Sequence, residues 1–280
     1  MNILVLGGNG YLGSKLINQL SAIENNDITC TIRKGEGKNL LIERKNVHII
    51  DSEVCNVKNT IKSSNFDLLI NTVCSYERGN SLIPVIMANM NYPLEIISFA
   101  IESNIKKIVT IDTSLPENVN LYSLTKKTVA KVLDYYSKKN KDLLVYNIKL
   151  ENFYGEDEPS DRFLHMVINK LKKNESVDLT VGTQRRDFIY IQDVVDALLY
   201  LINYKNSPGF YSISLGTGEG PTIREVIEYL STIIGSTSKL NFGAVPSRTN
   251  EPDCIADMTF LNSIGFYIKY FYKEGLLKIV

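Results

Sequence analysis

Histidine is nearly absent, with two in 280 residues, and the cysteines are limited to Cys30, Cys55, Cys74 and Cys254, none of them in a C-x-x-C pair. So thin a supply of soft ligands at such spacing gives no expectation of a metal site. It also gives no disulfide framework, and the four thiols read as reduced residues of a cytosolic protein, most of them in the core. Charge of one sign is missing too: 31 Lys and Arg balance 31 Asp and Glu. Basic patches grow no larger than Lys170, Lys172 and Lys173 on a solvated helix face, so no nucleic-acid surface is expected. No apolar run reaches the roughly 18 residues of a membrane span. The start of the chain lacks the basic stretch and cleavage signal of a secretory peptide. The expectation is a soluble cytoplasmic protein whose partners include neither nucleic acid nor membrane.

What the chain does have is a glycine-rich opening, MNILVLGGNGYLGSKLINQL. Ile3 to Leu6 is a short apolar run of strand type, Gly7, Gly10 and Gly13 follow at three-residue intervals, and Leu16, Ile17 and Leu20 then take up helical spacing. Such a turn lets a pyrophosphate approach bare N–H groups at a helix N-terminus, where unpaired donors and the helix dipole favour an anion. Tyr11 and Leu12 fall within the turn and join the glycines as candidate cofactor contacts. A second strand, Ile28 to Ile32, ends in Arg33 and Lys34, where a cofactor lacking a 2′-phosphate would call for Asp or Glu. An arginine–phosphate bond is worth on the order of 1.5–3 kcal/mol, so NADP(H) is expected over NAD(H). Val47 to Ile50 makes a third strand, and Asp51 at its end either reaches the adenine or caps a helix or turn.

Phe66 to Val73 is an unbroken apolar strand of the kind found in parallel sheets covered on both faces. The segment after it, Cys74 to Asn80, should lie beside the nicotinamide, with Cys74 toward the cofactor and Ser75 and Tyr76 toward a substrate. A long helix from about Leu82 to Ser103 carries Asn89, and Ile108 to Ile111 forms a fifth strand with Asp112, Thr113 and Ser114 at its carboxyl end. This alternation predicts an α/β protein with a Rossmann-type, doubly wound parallel sheet. In the next helix Tyr122 and Lys126 stand at i and i+4, on one face a turn apart. A tyrosine titrates near 10, and use near neutrality requires a shift of about three units, roughly 4 kcal/mol. A lysine cation and an oxidised nicotinamide supply help of that sign.

The loop GGNGYLG, the Thr113-Ser114 hydroxyls and the Tyr122/Lys126 pair, in that order, resemble the extended short-chain dehydrogenase/reductase family, also called the NAD-dependent epimerase/dehydratase family. KLENFYG (149–155), with Lys149 in place of the usual Arg, GTQRRDFIYIQDVV (182–195), LGTGEGPTIREV (215–226) and the Arg248/Glu251 pair extend the resemblance over nearly the whole chain. It implies a dinucleotide-binding domain at 1–150, to which 180–213 returns, and a smaller C-terminal α/β lobe for a nucleotide-sugar at 151–179 and 214–280. On that pattern Tyr122 is the general acid/base, Lys126 holds the nicotinamide ribose and lowers the Tyr122 pKa, and Thr113 bonds the sugar oxygen, with Ser114 as its substitute. Asn152 and Arg186 match contacts to the diphosphate, although Arg186 could equally pair with Asp187 or Asp193. Arg248 matches a phosphate or ribose contact, His165 borders the sugar, and Asn89 is structural. A homodimer built through the long helix and the Tyr122 helix is also implied.

The family's dehydratases carry an Asp-Glu pair after the catalytic Thr, and its epimerase–reductases a Cys in the same segment. Here Ser114-Leu115 stands in that place. What remains is a C4 epimerase with a retained NAD or a ketoreductase that consumes NADPH, and Arg33 and Lys34 favour the second. NTVCSYERG (71–79) and FGAVPSRTNE (242–251) are most similar to bacterial reductases of CDP- or GDP-linked 4-keto-6-deoxy sugars, of the abequose synthase and 6-deoxy-heptose kinds, from O-antigen and capsule synthesis. The alternatives are the NAD-dependent epimerase and, in a different class, a non-catalytic NADP-binding sensor.

Overall fold

The alternation of apolar strands and amphipathic helices is the architecture of the computed structural model, which describes residues 1–34, 41–76, 81–247 and 252–280. The chain divides into two units. The first, Met1–Lys149 with Leu198–Ile213, contains β1 (Asn2–Leu6), α1 (Tyr11–Leu20), β2 (Asp27–Ile32), β3 (Val47–Asp51), α2 (Val54–Ser63) and β4 (Leu68–Asn71). Next come α3 (Ile83–Ile86), a π-helical turn (Met87–Asn91), α4 (Tyr92–Glu102), β5 (Lys107–Thr113), α5 (Leu121–Lys139) and β6 (Leu144–Leu150). The second unit, Leu150–Ala197 with Ser214–Val280, begins with β7 (Asn152–Tyr154), α6 (Phe163–Lys172), β8 (Val177–Leu179), β9 (Phe188–Tyr190) and the first half of α7 (Ile191–Asn203). After β10 (Gly209–Leu215) it continues through α8 (Ile223–Ile234), β11 (Leu240–Phe242), α9 (Thr259–Ser263) and α10 (Tyr272–Leu276).

Seven strands form one sheet in the order β10-β6-β5-β4-β1-β2-β3. β1 pairs in parallel with β2 and with β4, β2 with β3, and β4 with β5. The order reverses between β1 and β4, which makes their carboxyl ends, Leu6 opposite Asn71, the switch point of a doubly wound sheet. Ile3 to Leu6 and Leu68 to Ile70 are buried, and one face packs with Ile96, Ile97, Val129 and Leu133 of the helices. Each such side chain contributes about 1.5–3 kcal/mol on burial. Among the described residues no helix is long and apolar enough to cross a membrane.

Three expectations shift. The return to the first unit starts at Leu198, not at residue 180. Residues before it belong to the second unit because β9 pairs with β7, Asn152 opposite Phe188 and Tyr154 opposite Tyr190, and because the Asp187 carboxylate gathers N–H groups from Thr217, Gly218 and Ala256. The fourth strand covers only Leu68–Asn71, since Thr72 turns its hydroxyl onto the Leu6 and Gly7 carbonyls at 2.8 and 3.1 Å. The long helix is interrupted by a π turn. Pro93 has no N–H for the Asn89 carbonyl four residues back, and Tyr92 N–H reaches Met87 O, five back.

Candidate active site

At the switch point Gly7 adopts φ +85°, in the region that favours glycine, and donates to Thr31 Oγ1 at 3.1 Å. Gly13 lets α1 approach: a Cβ there would lie 2.2 Å from Gly7 O and 2.8 Å from Thr72 Oγ1. Gly8, absent from the expected set, is just as confined, because its Cβ would meet Cys30 Cβ at 2.7 Å. The Gly-Gly doublet was the available signal. α1 opens at Gly10 with no side-chain cap and no acidic residue in its first turn, so its first N–H groups meet no competing carboxylate. That donor set fits a dinucleotide pyrophosphate. The side chains of Tyr11 and Leu12 are buried, so only their main chain is available to a ligand at this turn.

Arg33 and Lys34 lie exposed just past β2. Asp51 stands opposite Ile32 in register, and its Oδ1 accepts the Glu53 N–H at 3.0 Å, the turn-capping role of its two readings.

Helix α5 is placed by its cap. Asn120 Oδ1 accepts the Ser123 N–H at 2.8 Å, and the Ser123 hydroxyl accepts the Asn120 N–H at 3.2 Å, a capping box worth about 1 kcal/mol that fixes where α5 starts. Tyr122 is then on the first turn and Lys126 on the next. Lys126 is buried, with Nζ donating to Val73 O at 2.6 Å and Ile111 O at 3.0 Å, just past β4 and within β5. Burial pulls its pKa down. Tyr122 goes the other way: burial first, then Cys74 and Tyr76, push the phenol well above its ordinary value, Asp112 adds to this, and a hydrogen bond with the Thr113 side chain opposes it. The phenol sits among groups that disfavour its anion, and Lys126 gives two of its three ammonium donors to carbonyls.

Tyr76 lies with its ring centroid 5.1 Å from that of Tyr122, tilted by 42°. Its neighbour Ser75 is clamped by Asn89, which accepts from Ser75 N and donates to Ser75 O, both at 2.7 Å. The π turn forced by Pro93 therefore steadies the segment against the tyrosine. The Thr113 side chain lies near enough to Tyr122 to act on its pKa, its Oγ1 accepts the Leu115 N–H at 3.2 Å, and Ser114 is its half-buried neighbour. One further residue, Lys127, went unnoticed in the sequence: it pairs at 3.0 Å with the buried strand-end Asp112, and the Lys-Lys doublet at 126–127 was the sign of it.

In the second unit Asn152 is exposed on β7. Arg186 is buried, with Nη1 donating to the carbonyls of Arg185 at 2.7 Å and Pro252 at 2.6 Å. The carboxylates weighed as its partners are engaged by others: Asp187 by Thr217 Oγ1 at 2.6 Å and by main-chain N–H groups, Asp193 by the Lys269 and Tyr270 N–H groups at 3.0 and 2.9 Å. His165 is half-buried on α6. Arg248 and Glu251 lie outside the described residues.

The model of the NAD dependent epimerase/dehydratase family matches residues 3–214. The chain belongs to that family. It is accordingly an NAD(P)-dependent oxidoreductase. Among curated relatives it is 27% identical over 288 residues to the CDP-abequose synthase of Salmonella muenchen, covering 99% of this chain and 96% of that one. It is 24% identical to the GDP-L-colitose synthase of Yersinia pseudotuberculosis over 71% of this chain and 74% of that protein. Among solved structures, the UDP-glucuronic acid 4-epimerase of Bacillus cereus in complex with UDP-glucuronic acid and NAD superposes with a TM-score of 0.86 at 21% identity, covering 99% of this chain and 97% of that one. This last likeness is one of fold.

Proposed function

We propose that the protein is an NADPH-dependent reductase of the C4 ketone of a CDP- or GDP-linked 4-keto-6-deoxy sugar, as in bacterial O-antigen or capsule synthesis. The observation that carries this reading is the Tyr122 phenol, one helical turn from Lys126 and beside the Thr113 side chain, whose surroundings push its pKa up and so favour its acid form. A reductase needs a proton donor at that point. The similarity to CDP-abequose synthase along 99% of the chain supports the substrate class.

In this reading the N–H groups at the start of α1 hold the pyrophosphate and Arg33 and Lys34 the 2′-phosphate. Lys126 has three ammonium donors and gives two to Val73 O and Ile111 O, which leaves one for a ribose hydroxyl. Bound NADPH supplies the hydride. Thr113 donates a hydrogen bond to the C4 oxygen as charge builds there, and Tyr122 transfers its proton to that oxygen, a contribution of about 10²–10⁴ in rate. Ser75 and Tyr76 border the sugar from one side. Asn152, His165, Arg186 and Arg248 are the further residues proposed to contact the nucleotide-sugar. Exposed Leu82, Ile83, Met87 and Leu124, on and beside the helices that the family uses to dimerise, support a homodimer.

The test follows absorbance of the reduced nicotinamide with CDP- and GDP-linked 4-keto-6-deoxy sugars, each generated in situ by its own dehydratase, with NADPH and NADH in parallel. Oxidation of NADPH with one substrate, abolished in Tyr122→Phe while cofactor binding persists, is the expected result. No oxidation of either cofactor, with NAD released on denaturing the protein, would replace the reductase by the C4 epimerase. Cofactor binding without turnover of either kind would favour the sensor.

A further inference from the structure

Lys127 has an enclosed setting unlike that of Lys131 and Lys138 further along its helix. Lys131 and Lys138 make exposed pairs with Glu117 and Asp134, of the kind that contribute little. Lys127 is 17% exposed and Asp112 only 2%, and Nζ stands 3.0 Å from Asp112 Oδ2. Lys127 Nζ also donates to the Thr113 carbonyl. From the other side of the same residue, the Thr113 N–H donates to Asp112 Oδ1 at 2.7 Å. Both main-chain polar groups of Thr113 are therefore held by one ion pair. The pair is itself tethered to the next strand, since Asn147 Nδ2 on β6 donates to Asp112 Oδ2 at 3.0 Å and lies 3.4 Å from Ser212 Oγ on β10.

A shielded ion pair is a poor source of stability, because the cost of removing two charges from water offsets most of their attraction. Its effect is directional. Fixing the peptide groups on both sides of Thr113 fixes the Cα–Cβ bond, and the Leu115 N–H on Oγ1 at 3.2 Å then holds the rotation about it, so that together they set the direction of the hydroxyl beside Tyr122. A free strand end would let that hydroxyl wander, and displacements of about 1 Å in a reacting constellation cost on the order of 10²-fold in rate.

We infer that Lys127 is a positioning residue which, through its pair with Asp112, clamps the Thr113 main chain and so aims the Thr113 hydroxyl at the oxygen that Tyr122 protonates. This rests on the proposed roles of Tyr122 and Thr113 in proton transfer. The lysine touches neither sugar nor cofactor in this account. Its effect should appear in kcat, not in cofactor affinity, and should vanish when Thr113 has no hydroxyl to aim.

The experiment measures NADPH oxidation with the in situ generated CDP-linked 4-keto-6-deoxy sugar, or the GDP-linked one if that is the substrate turned over, alongside NADPH affinity by fluorescence titration. The variants are Lys127→Met, Lys127→Arg, Thr113→Ala and the double variant Lys127→Met/Thr113→Ala. Lys127→Met should lower kcat about ten- to a hundred-fold with NADPH affinity unchanged. Lys127→Arg, which keeps both the charge and the reach, should recover most of the loss. The double variant should be no slower than Thr113→Ala alone, the mark of two residues acting through one contact. Lys127→Met leaves Asp112 charged and buried, which can unfold the chain, so Asp112→Asn/Lys127→Met removes both charges and should show the same fall in kcat. An unchanged kcat in either folded variant, or losses that multiply in the double variant, would overturn the inference. Tyr122→Phe separates the two levels: turnover surviving there overturns the proposed proton transfer and this inference with it, whereas a dead Tyr122→Phe beside a fully active Lys127→Met overturns the inference alone.

Discussion

Replacing Gly13 with alanine sets two effects of known size against each other. Gly13 lies inside α1, where alanine is favoured over glycine by about 1 kcal/mol. Yet the added Cβ would lie 2.2 Å from Gly7 O and 2.8 Å from Thr72 Oγ1. The threonine side chain is held to the Leu6 and Gly7 carbonyls, and the Gly7 carbonyl belongs to a left-handed turn residue at φ +85°, so neither neighbour swings away freely. The helix and the turn must instead part by about 1 Å, an overpacking that costs typically 1–3 kcal/mol and occasionally more. With both neighbours held in place the clash outweighs the helix preference, with a net loss of up to about 2 kcal/mol, which lowers Tm by up to several degrees in a chain of this length. The same displacement moves the α1 N–H groups off the pyrophosphate, and NADPH affinity should fall at least about ten-fold. Gly10→Ala is the comparison, since its Cβ would meet only Gly7 O at 3.3 Å and its φ of −68° suits any residue. It should lose at most about 1 kcal/mol, the N-cap preference of glycine over alanine, yet impair NADPH binding through the methyl group set where the pyrophosphate approaches. Thermal unfolding followed by circular dichroism and fluorescence titration with NADPH measure both quantities. A Gly13→Ala protein that is more stable than the parent and binds NADPH equally well would refute the reasoning.

Three other outcomes are expected. Arg33→Ala should weaken NADPH about ten-fold or more while leaving NADH nearly unchanged, as the loss of one charged hydrogen bond to phosphate requires; equal losses for both cofactors would count against a 2′-phosphate contact. Burial pushes the Glu158 carboxyl up to about 7 against the opposing pull of Arg162. The folded chain then keeps a proton that the unfolded chain gives up at its ordinary value near 4.5, so this group's stabilising contribution is complete below that pH and fades as pH rises through 7. Glu158→Gln should flatten the unfolding free energy between these limits, and an unchanged slope would remove Glu158 as its source. Ile83→Lys, on an exposed apolar helix face, should convert a dimer to a monomer in sedimentation velocity; a dimer that persists would place the interface elsewhere.

The sheet was legible because its strands are apolar on both faces, and the Tyr122/Lys126 pair because helical spacing puts i and i+4 together once Asn120 has set the start of α5. What the two side chains meet was not. Lys126 finds the carbonyls of Val73 and Ile111 only because β4 and β5 end side by side, a fact of topology that no spacing along the chain expresses. Pro93 was visible as a residue type in a helix. Its consequence, a π turn that carries Asn89 to the Ser75 main chain, depends on which carbonyl loses its donor and on what lies opposite. The end of the second unit's first segment was misplaced because the pairing of β7 with β9 joins strands separated by a whole helix and a further strand.

The same limit bears on the direction of the chemistry. From sequence, Lys126 predicts a Tyr122 poised near neutrality, the setting for a residue that must both take and give a proton. In the structure the phenol is pushed well above its ordinary value by burial, by Cys74 and Tyr76, and by Asp112, more than the Thr113 hydrogen bond restores. A group held in its acid form is ready to protonate a forming alkoxide and ill prepared to deprotonate an alcohol. Ketone reduction should therefore show no alkaline fall in kcat from Tyr122 across pH ~6 to ~9, while alcohol oxidation by the same enzyme with NADP⁺ should rise steadily over that range as the phenolate is recruited. Initial rates in both directions against pH decide the matter. An alkaline limb in reduction with a midpoint near 7 would mean that the bound cofactor and substrate overturn the bias of the surrounding residues, and the geometry would then suit an epimerase as well as it suits a reductase.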